Sequence, residues 1–156
     1  LRTDAARKLA RAHLRQTIDD AALMPRTAFA KAMLHTSPDP IALATAFEVP
    51  VVRVLRRLAV IPDLDAGLVL CDRAGRLLVR QRTRDFEIPR FGAPPGSWPL
   101  FDAITMPGHI LSRAIEPVDD GARPLHAYAT AEVTGPADYN CAPPIQATML
   151  VLPVAG

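Results

Sequence analysis

The sequence has few of the residues that build metal sites and disulfide frameworks. Its 156 residues include two cysteines, Cys71 and Cys141, and four histidines. No CxxC pair or His-rich spacing lies near either cysteine, and no two histidines have the four-residue separation of the zinc-peptidase motif HExxH. We therefore predict a protein with no metal site and no disulfide bond, in a reducing, cytoplasmic compartment.

Long apolar runs and catalytic motifs are also absent from the sequence. No apolar stretch approaches the ~18 residues of a membrane-spanning helix, and no signal peptide precedes the first charged residues. The GxSxG elbow, the phosphate-binding loop and the GxGxxG fingerprint are missing. We predict no membrane association, no cofactor and no catalytic residues, so we do not expect an enzyme. An enzyme built from scattered residues is the alternative.

Charge is unevenly distributed along the chain, although the formal net charge is only +2. Residues 1–58 contain ten Lys and Arg against five Asp and Glu, whereas residues 59–156 contain eight against eleven. A near-neutral total does not by itself indicate a nucleic-acid or membrane partner. Because the residues after Leu1 already have a helical pattern, we expect a piece of a longer protein.

Residues 1–61 have the pattern of about four short helices. Apolar side chains recur at three- and four-residue steps from Thr3, opposite a basic face. Asp39 is a predicted N-cap, with Pro40 at the first helical position. A last helix from Val51 follows after three residues, so the third and fourth helices have the helix-turn-helix outline.

The fourth helix could bind DNA directly. Arg53, Arg56 and Arg57 are predicted to lie outside its apolar stripe, where they could contact phosphates. However, Val51 and Val52 occupy the helix start that should face the bases. Direct DNA binding through residues 39–58 is therefore the alternative, and a scaffold role for this pair of helices is favoured.

Beyond residue 61 the apolar pattern changes to the period of two that is typical of strands. The helix predicted from the cap Ser97 is the one interruption, and no repeated crossover helices occur. The sequence therefore predicts an α+β protein: a helical unit, 1–61, followed by an antiparallel, sensor-like domain, 62–156, with about five strands and one packed helix. The candidate strands are 67–71, 76–83, 86–91, 110–116, 125–133 and 145–152.

The strand over residues 125–133 carries small side chains along one face, at Ala127, Ala129 and Ala131. The favoured interpretation is a helix packed closely on these alanines. The alternative is a pocket for an apolar ligand, with arginines at its mouth for a phosphate or carboxylate. The candidate ligand-binding residues are Arg80, Arg82, Arg90, Phe91, Trp98, Phe101 and Ala129.

Two stretches of the chain resemble known families. Residues 6–60 resemble the end of the metallopeptidase-like domain of the ImmA/IrrE-like family, whose zinc motif lies upstream of this region. The matching residues are Ala22, Leu23, Met24, Pro25, Phe29, Leu43, Ala44, Phe47, Glu48, Val49, Val54, Arg57 and Leu58. The sheet region resembles the C-terminal domain of XRE-type regulators of the short-chain fatty acyl family, through Phe86, Arg90, Phe91, Gly92 and Trp98.

The second resemblance implies control of transcription, with a short-chain acyl-CoA or a related metabolite as the effector. It also implies that a DNA-binding domain lies outside this fragment. We therefore expect a ligand-sensing or dimerising C-terminal region of a bacterial transcription regulator. A homodimer is expected because regulators that read paired half-sites are commonly two-fold symmetric and the first helix carries a long apolar stripe. That stripe could equally be covered within one chain.

Overall fold

The chain forms two compact units, Leu1–Leu58 and Ala59–Gly156. The computed structural model describes residues 3–88, 96–117 and 122–154. Within these ranges the first unit is helical, and the second holds one helix and a five-stranded antiparallel sheet. The predicted α+β class, with four helices before a sheet of five strands and one packed helix, is confirmed.

Four helices begin where the sequence provides start signals. They are α1 (Asp4–Leu23), α2 (Arg26–Thr36), α3 (Pro40–Phe47) and α4 (Val51–Ala59). The Asp39 carboxylate accepts hydrogen bonds from the amides of Ile41 and Ala42, at 2.9 and 3.4 Å. It satisfies N–H groups that the first turn of α3 leaves without intrahelical partners. Thr3 caps α1 in the same manner through the amide of Ala6.

Aromatic packing joins the short helices of the first unit. The rings of Phe29 and Phe47 lie with their centroids 5.5 Å apart, which links α2 to α3. The apolar stripe of α1 is different, because Leu14 and Ile18 are 59% and 67% exposed. Leu9, Leu14 and Ile18 are therefore exposed, whereas Ala6, Ala10 and Ala21 on the same stripe are partly buried.

The sheet of the second unit has its last strand near the centre. Its strands are β1 (Gly67–Asp72), β2 (Leu77–Gln81), β3 (Ile110–Ile115), β4 (Leu125–Val133) and β5 (Ile145–Pro153). Their order across the sheet is β2-β1-β5-β4-β3, and each neighbouring pair is antiparallel. The positive φ of Gly75, 76°, allows the tight turn between β1 and β2.

Helix α5 (Pro99–Thr105) covers one face of this sheet. Leu100 and Ala103 of α5 are fully buried in the same apolar cluster as Ala127 and Ala129 of β4. The favoured interpretation of the alanine face, a helix packed against it, is confirmed. Small side chains on the strand let the helix approach closely and fill the space.

Two local predictions are wrong. Residues 86–88 are not a strand: Thr83 and Phe86 instead form a tight turn, in which the Phe86 amide donates to the Thr83 hydroxyl at 3.1 Å. The rest of the predicted 86–91 strand lies outside the described residues. Ser97 is not the cap of α5 either, because Pro99 occupies the first turn and Trp98 the N-cap position.

Candidate functional site

The second unit contains a cavity of about 630 Å³ beside the start of α5. The segment that precedes α5, the end of β3 and the start of β4 enclose it. We call it the Trp98 cavity. Its lining residues are Asp85, Phe86, Glu87, Ser97, Trp98, Arg113, Ala114, Ile115, Glu116, Pro117 and Leu125. This volume falls within the range of small-molecule sites.

One wall of the Trp98 cavity is aromatic. The rings of Phe86 and Trp98 lie with their centroids 5.2 Å apart and their planes tilted by 42°. Both side chains belong to the buried cluster under α5, together with Ile115 and Leu125. The core of the unit therefore holds this wall, and Phe86 and Trp98, at 3% and 4% exposed, present little surface to the cavity.

Two charged residues of the lining already have partners. Arg113 donates to the Asp102 carboxylate at 2.8 Å and to the Ser97 carbonyl at 3.1 Å. The Asp85 carboxylate accepts from Arg123 at 2.5 Å, and Arg123 also donates to Asp65. These hydrogen bonds, first to Asp85 and then to Asp65, raise the pKa of the Arg123 guanidinium.

The other two charged residues of the lining are carboxylates. Glu87 and Glu116 are exposed, and neither has an ion-pair partner among the described parts of the chain. Within the described ranges, Glu87 and Glu116 are thus the charged residues of the lining without an ion pair.

The predicted ligand residues do not converge on one site. Trp98 lines the Trp98 cavity, whereas Arg80, Arg82, Phe101 and Ala129 are not part of its lining. Arg80 on β2 and Arg82 just beyond it are exposed. The expectation that they adjoin the alanine strand is wrong, because β1 and β5 lie between β2 and β4. Arg90 and Phe91 lie outside the described residues.

Phe101 and Ala129 belong to the packing between α5 and the sheet. Ala129 is fully buried in the cluster under α5, so it offers no surface to a ligand. Phe101 packs on the same cluster and reaches the β1–β2 turn, where a Cβ built on Gly75 would lie 3.4 Å from its ring. Both residues therefore contribute to the packing of the helix on the sheet.

The arginines of the DNA-binding alternative are not all on the outside of α4. Arg56 and Arg57 are only 5% and 8% exposed, so the prediction that they face solvent is wrong. Arg56 forms two hydrogen bonds with the buried carboxylate of Asp20, and Arg57 donates to the Met24 carbonyl at 2.9 Å. Burial is the largest cause that lowers the pKa of the Arg57 guanidinium, and the positive charge of nearby Arg26 lowers it further. Two of the three guanidinium groups are thus held inside the unit, where they cannot reach phosphates.

Cys71 has no environment for nucleophilic chemistry. Its side chain is fully buried on β1, and burial, followed by the charge of Asp72, raises the pKa of the thiol to about 11. A thiol is a poor nucleophile until it loses its proton. Cys71 is therefore a small buried apolar residue of β1. Among the described residues there is no group of three or more metal-ligating side chains, and no helix long and apolar enough to cross a membrane.

Sequence reasoning missed most of the cavity lining. It selected Trp98 as a candidate ligand-binding residue, but it did not select Glu87, Arg113 or Glu116. The available signal was weak: charged residues at the ends of strands are common on any solvated surface. Only the strand order brings the end of β3 beside the segment that precedes α5.

The chain shares its architecture with a solved structure, a Mycobacterium tuberculosis transcriptional regulator. The TM-score is 0.67 with 22% sequence identity, and the match covers 86% of this chain. This chain spans 42% of the length of that protein. No protein-family model matches the sequence. No curated protein matches it either. The likeness to the regulator establishes a shared fold.

Proposed function

We propose that this chain is the C-terminal regulatory region of a bacterial transcription regulator, and that a small effector binds in the Trp98 cavity. The observation that carries the proposal is the cavity itself, about 630 Å³ and lined in part by Trp98. The regulatory context is supported by the fold shared with a transcriptional regulator. The regulator would act in the cytoplasm and contact DNA through a domain outside this fragment.

The two parts of the chain are proposed to have different roles. In the proposal, residues 1–61 are the remnant of a peptidase-like domain and serve as a scaffold. Residues 62–156 are the sensor domain, because the Trp98 cavity lies wholly within them. No catalytic step is assigned to either part, and the chain is proposed to act by binding.

A homodimer is part of the proposal. Leu14 and Ile18 expose more than half of their surface on α1, and burying such side chains is the main driving force for association. A second copy of α1 would cover them in a two-fold arrangement. We expect light scattering at micromolar concentration to give a dimer; a clean monomer would contradict this part of the proposal.

A panel of compounds tests which chemical class of effector binds in the Trp98 cavity. The family resemblance implies a short-chain acyl-CoA or a related metabolite, so acetyl-, propionyl- and butyryl-CoA are one arm. Neutral amides and amines with the same short chains, and the free carboxylates, are the other arms. Trp98 is the single tryptophan of the chain and lines the cavity, so its fluorescence reports on this site alone.

We expect at least one arm to change the Trp98 fluorescence in a saturable manner, because a ligand in the cavity would contact the indole ring. Calorimetry with the same compound should give one site per chain. If no arm of the panel produced a saturable change, the effector role of the cavity would be rejected.

A further inference from the structure

We infer that α1 carries a contact surface for the phosphate backbone of double-stranded DNA. The surface consists of Arg7, Lys8, Arg11 and Arg15, and we call it the α1 basic stripe. The inference goes beyond the proposed function, in which a domain outside this fragment contacts DNA. The stripe would add contacts that do not depend on the base sequence.

The α1 basic stripe lies on the solvent side of its helix. All four of its residues are exposed. The more buried residues of α1 include a series at three- and four-residue steps, formed by Ala6, Ala10, His13, Thr17 and Asp20. With about 3.6 residues per turn, this series forms one side of the helix and the stripe falls on the other. The packing of the first unit therefore leaves these cations accessible.

Positive charge is concentrated along the stripe. The nine residues from Arg7 to Arg15 contain four cations and no Asp or Glu. The exposed aspartates of α1, Asp4 and Asp19, lie beyond its two ends. Asp4 is 3.6 Å from Arg7, but its side chain is almost fully exposed, and surface pairs of this kind contribute little. Within the described residues the other three cations of the stripe have no ion pair, so an approaching anion would meet several positive charges.

The arginines of α4 do not compete for this role. Arg53 and Arg56 are bonded to Asp20, and Arg57 is bonded to the Met24 carbonyl. Residues 1–58 contain ten cations, of which these three are engaged within the unit and four form the stripe. The positive charge that the first unit offers to a partner is therefore concentrated on α1.

A row of phosphates fits the spacing and the chemistry of the stripe. Arg7, Arg11 and Arg15 are four residues apart, so they follow one another at about 6 Å along the helix. Each strand of a DNA duplex presents one phosphate for every ~3.4 Å of its axis. A guanidinium group forms paired hydrogen bonds with phosphate oxygens, which suits arginine to this partner. A helix laid along the backbone would bring each of the three arginines to a phosphate.

The apolar side chains of α1 do not favour a membrane surface as the partner. A helix that lies in the membrane interface gathers its large apolar side chains on one face. The exposed apolar side chains of α1 are divided between two faces: Leu14 and Ile18 lie on one, and Leu9 and Leu23 lie nearly opposite. Charge complementarity without a continuous apolar face therefore favours DNA.

The test is the binding of the full chain to short labelled DNA duplexes, followed by fluorescence anisotropy at several salt concentrations. We expect an affinity that falls as salt rises, with a slope of log affinity against log salt of roughly −3 to −4 for each bound chain. This slope is expected because each phosphate that a cation neutralises releases about 0.9 counterions. Duplexes of unrelated sequence should bind with similar affinity, since phosphates carry no sequence information.

Two substitutions test the stripe. Arg11→Gln and Arg15→Gln each remove one charge, and both positions are exposed, so the fold should survive. We expect each to weaken DNA binding several-fold at low salt and to reduce the slope by about one. Arg26→Gln is the matched control, because Arg26 is an exposed arginine of α2 in the same unit, and it should leave the affinity unchanged. Circular dichroism and light scattering show whether each variant keeps its fold and its oligomeric state.

Several results would overturn the inference. They are a lack of salt-dependent binding at low salt, an equal loss of affinity in Arg11→Gln and Arg26→Gln, and a strong preference for one duplex sequence. Tighter binding to phosphatidylserine vesicles than to the duplex, at the same concentration of negative charge, would also overturn it and would indicate a membrane partner. The proposed effector site is tested separately by Trp98 fluorescence, so failure of the stripe leaves that proposal in place.

Discussion

Replacing Asp20 with alanine is expected to lower the free energy of unfolding of the first unit by about 3–5 kcal/mol, the usual cost of removing one partner of a buried ion pair. Asp20 is 1% exposed, and Arg56 beside it is 5% exposed. Few single substitutions on a helix of this size should cost as much.

The expected loss follows from the geometry around the carboxylate. Arg56 contacts both oxygens of Asp20, with Nε at 2.7 Å and Nη2 at 3.2 Å, and Arg53 adds a bond of 3.2 Å. Paired, charge-assisted bonds of this kind are stronger than single neutral ones. In the alanine variant the Arg56 guanidinium, which is 5% exposed, would lose both of its hydrogen bonds to Asp20.

The measurement is urea denaturation of the chain and of two variants, Asp20→Ala and Asp19→Ala. Asp19 is the adjacent residue on α1 and is exposed, so it controls for the loss of one negative charge on the same helix. The control should change stability by less than about 0.5 kcal/mol. Equal effects of the two substitutions would show that the buried pair does not stabilise the unit.

Truncating Leu100 to alanine should destabilise the second unit by about 2–5 kcal/mol, the usual cost of a leucine removed from a core. Leu100 is fully buried, and it belongs to the apolar cluster that includes the alanine face of β4. The alanines on the opposing strand are short, so their side chains cannot fill the space that Leu100 leaves. We therefore expect the void left by the substitution to persist, and the loss of stability to lie near the upper end of this range.

Leu34→Ala makes the same chemical change on a side chain that is 84% exposed, and it serves as the control. Its effect on thermal unfolding should be small. The midpoint for Leu100→Ala should fall by several degrees per kcal/mol of lost stability in a unit of this size. A midpoint for Leu100→Ala equal to that of the control would mean that α5 does not depend on this contact.

Local signals in the sequence predicted the elements well. The carboxylate of Asp39 followed by Pro40 predicted the start of α3, and β4 has the bounds that the alternating pattern predicts. These features depend on residues close together in the chain. The alanine stripe also predicted a closely packed helix, because small residues on one face require a neighbour that fills the remaining space.

The errors come from contacts between distant parts of the sequence. Arg56 was predicted to face solvent from the helical period, yet its partner Asp20 lies 36 residues earlier. Periodicity cannot show that a charged side chain will be matched by a buried carboxylate on another helix. The expected ligand site failed for a similar reason, since long-range strand pairing sets the order of the sheet and puts β1 and β5 between Arg80 and the alanine strand.

The central position of β5 has a consequence for synthesis of the protein. This strand is the last in sequence, yet it is hydrogen-bonded to both β1 and β4. Until residues 145–153 have left the ribosome, β1 and β2 can form one hairpin and β3 and β4 another, but the two lack the strand that joins them. Isolated hairpins are marginal in water, so the second unit should complete its folding after translation of β5, with a rate limited by long-range pairing.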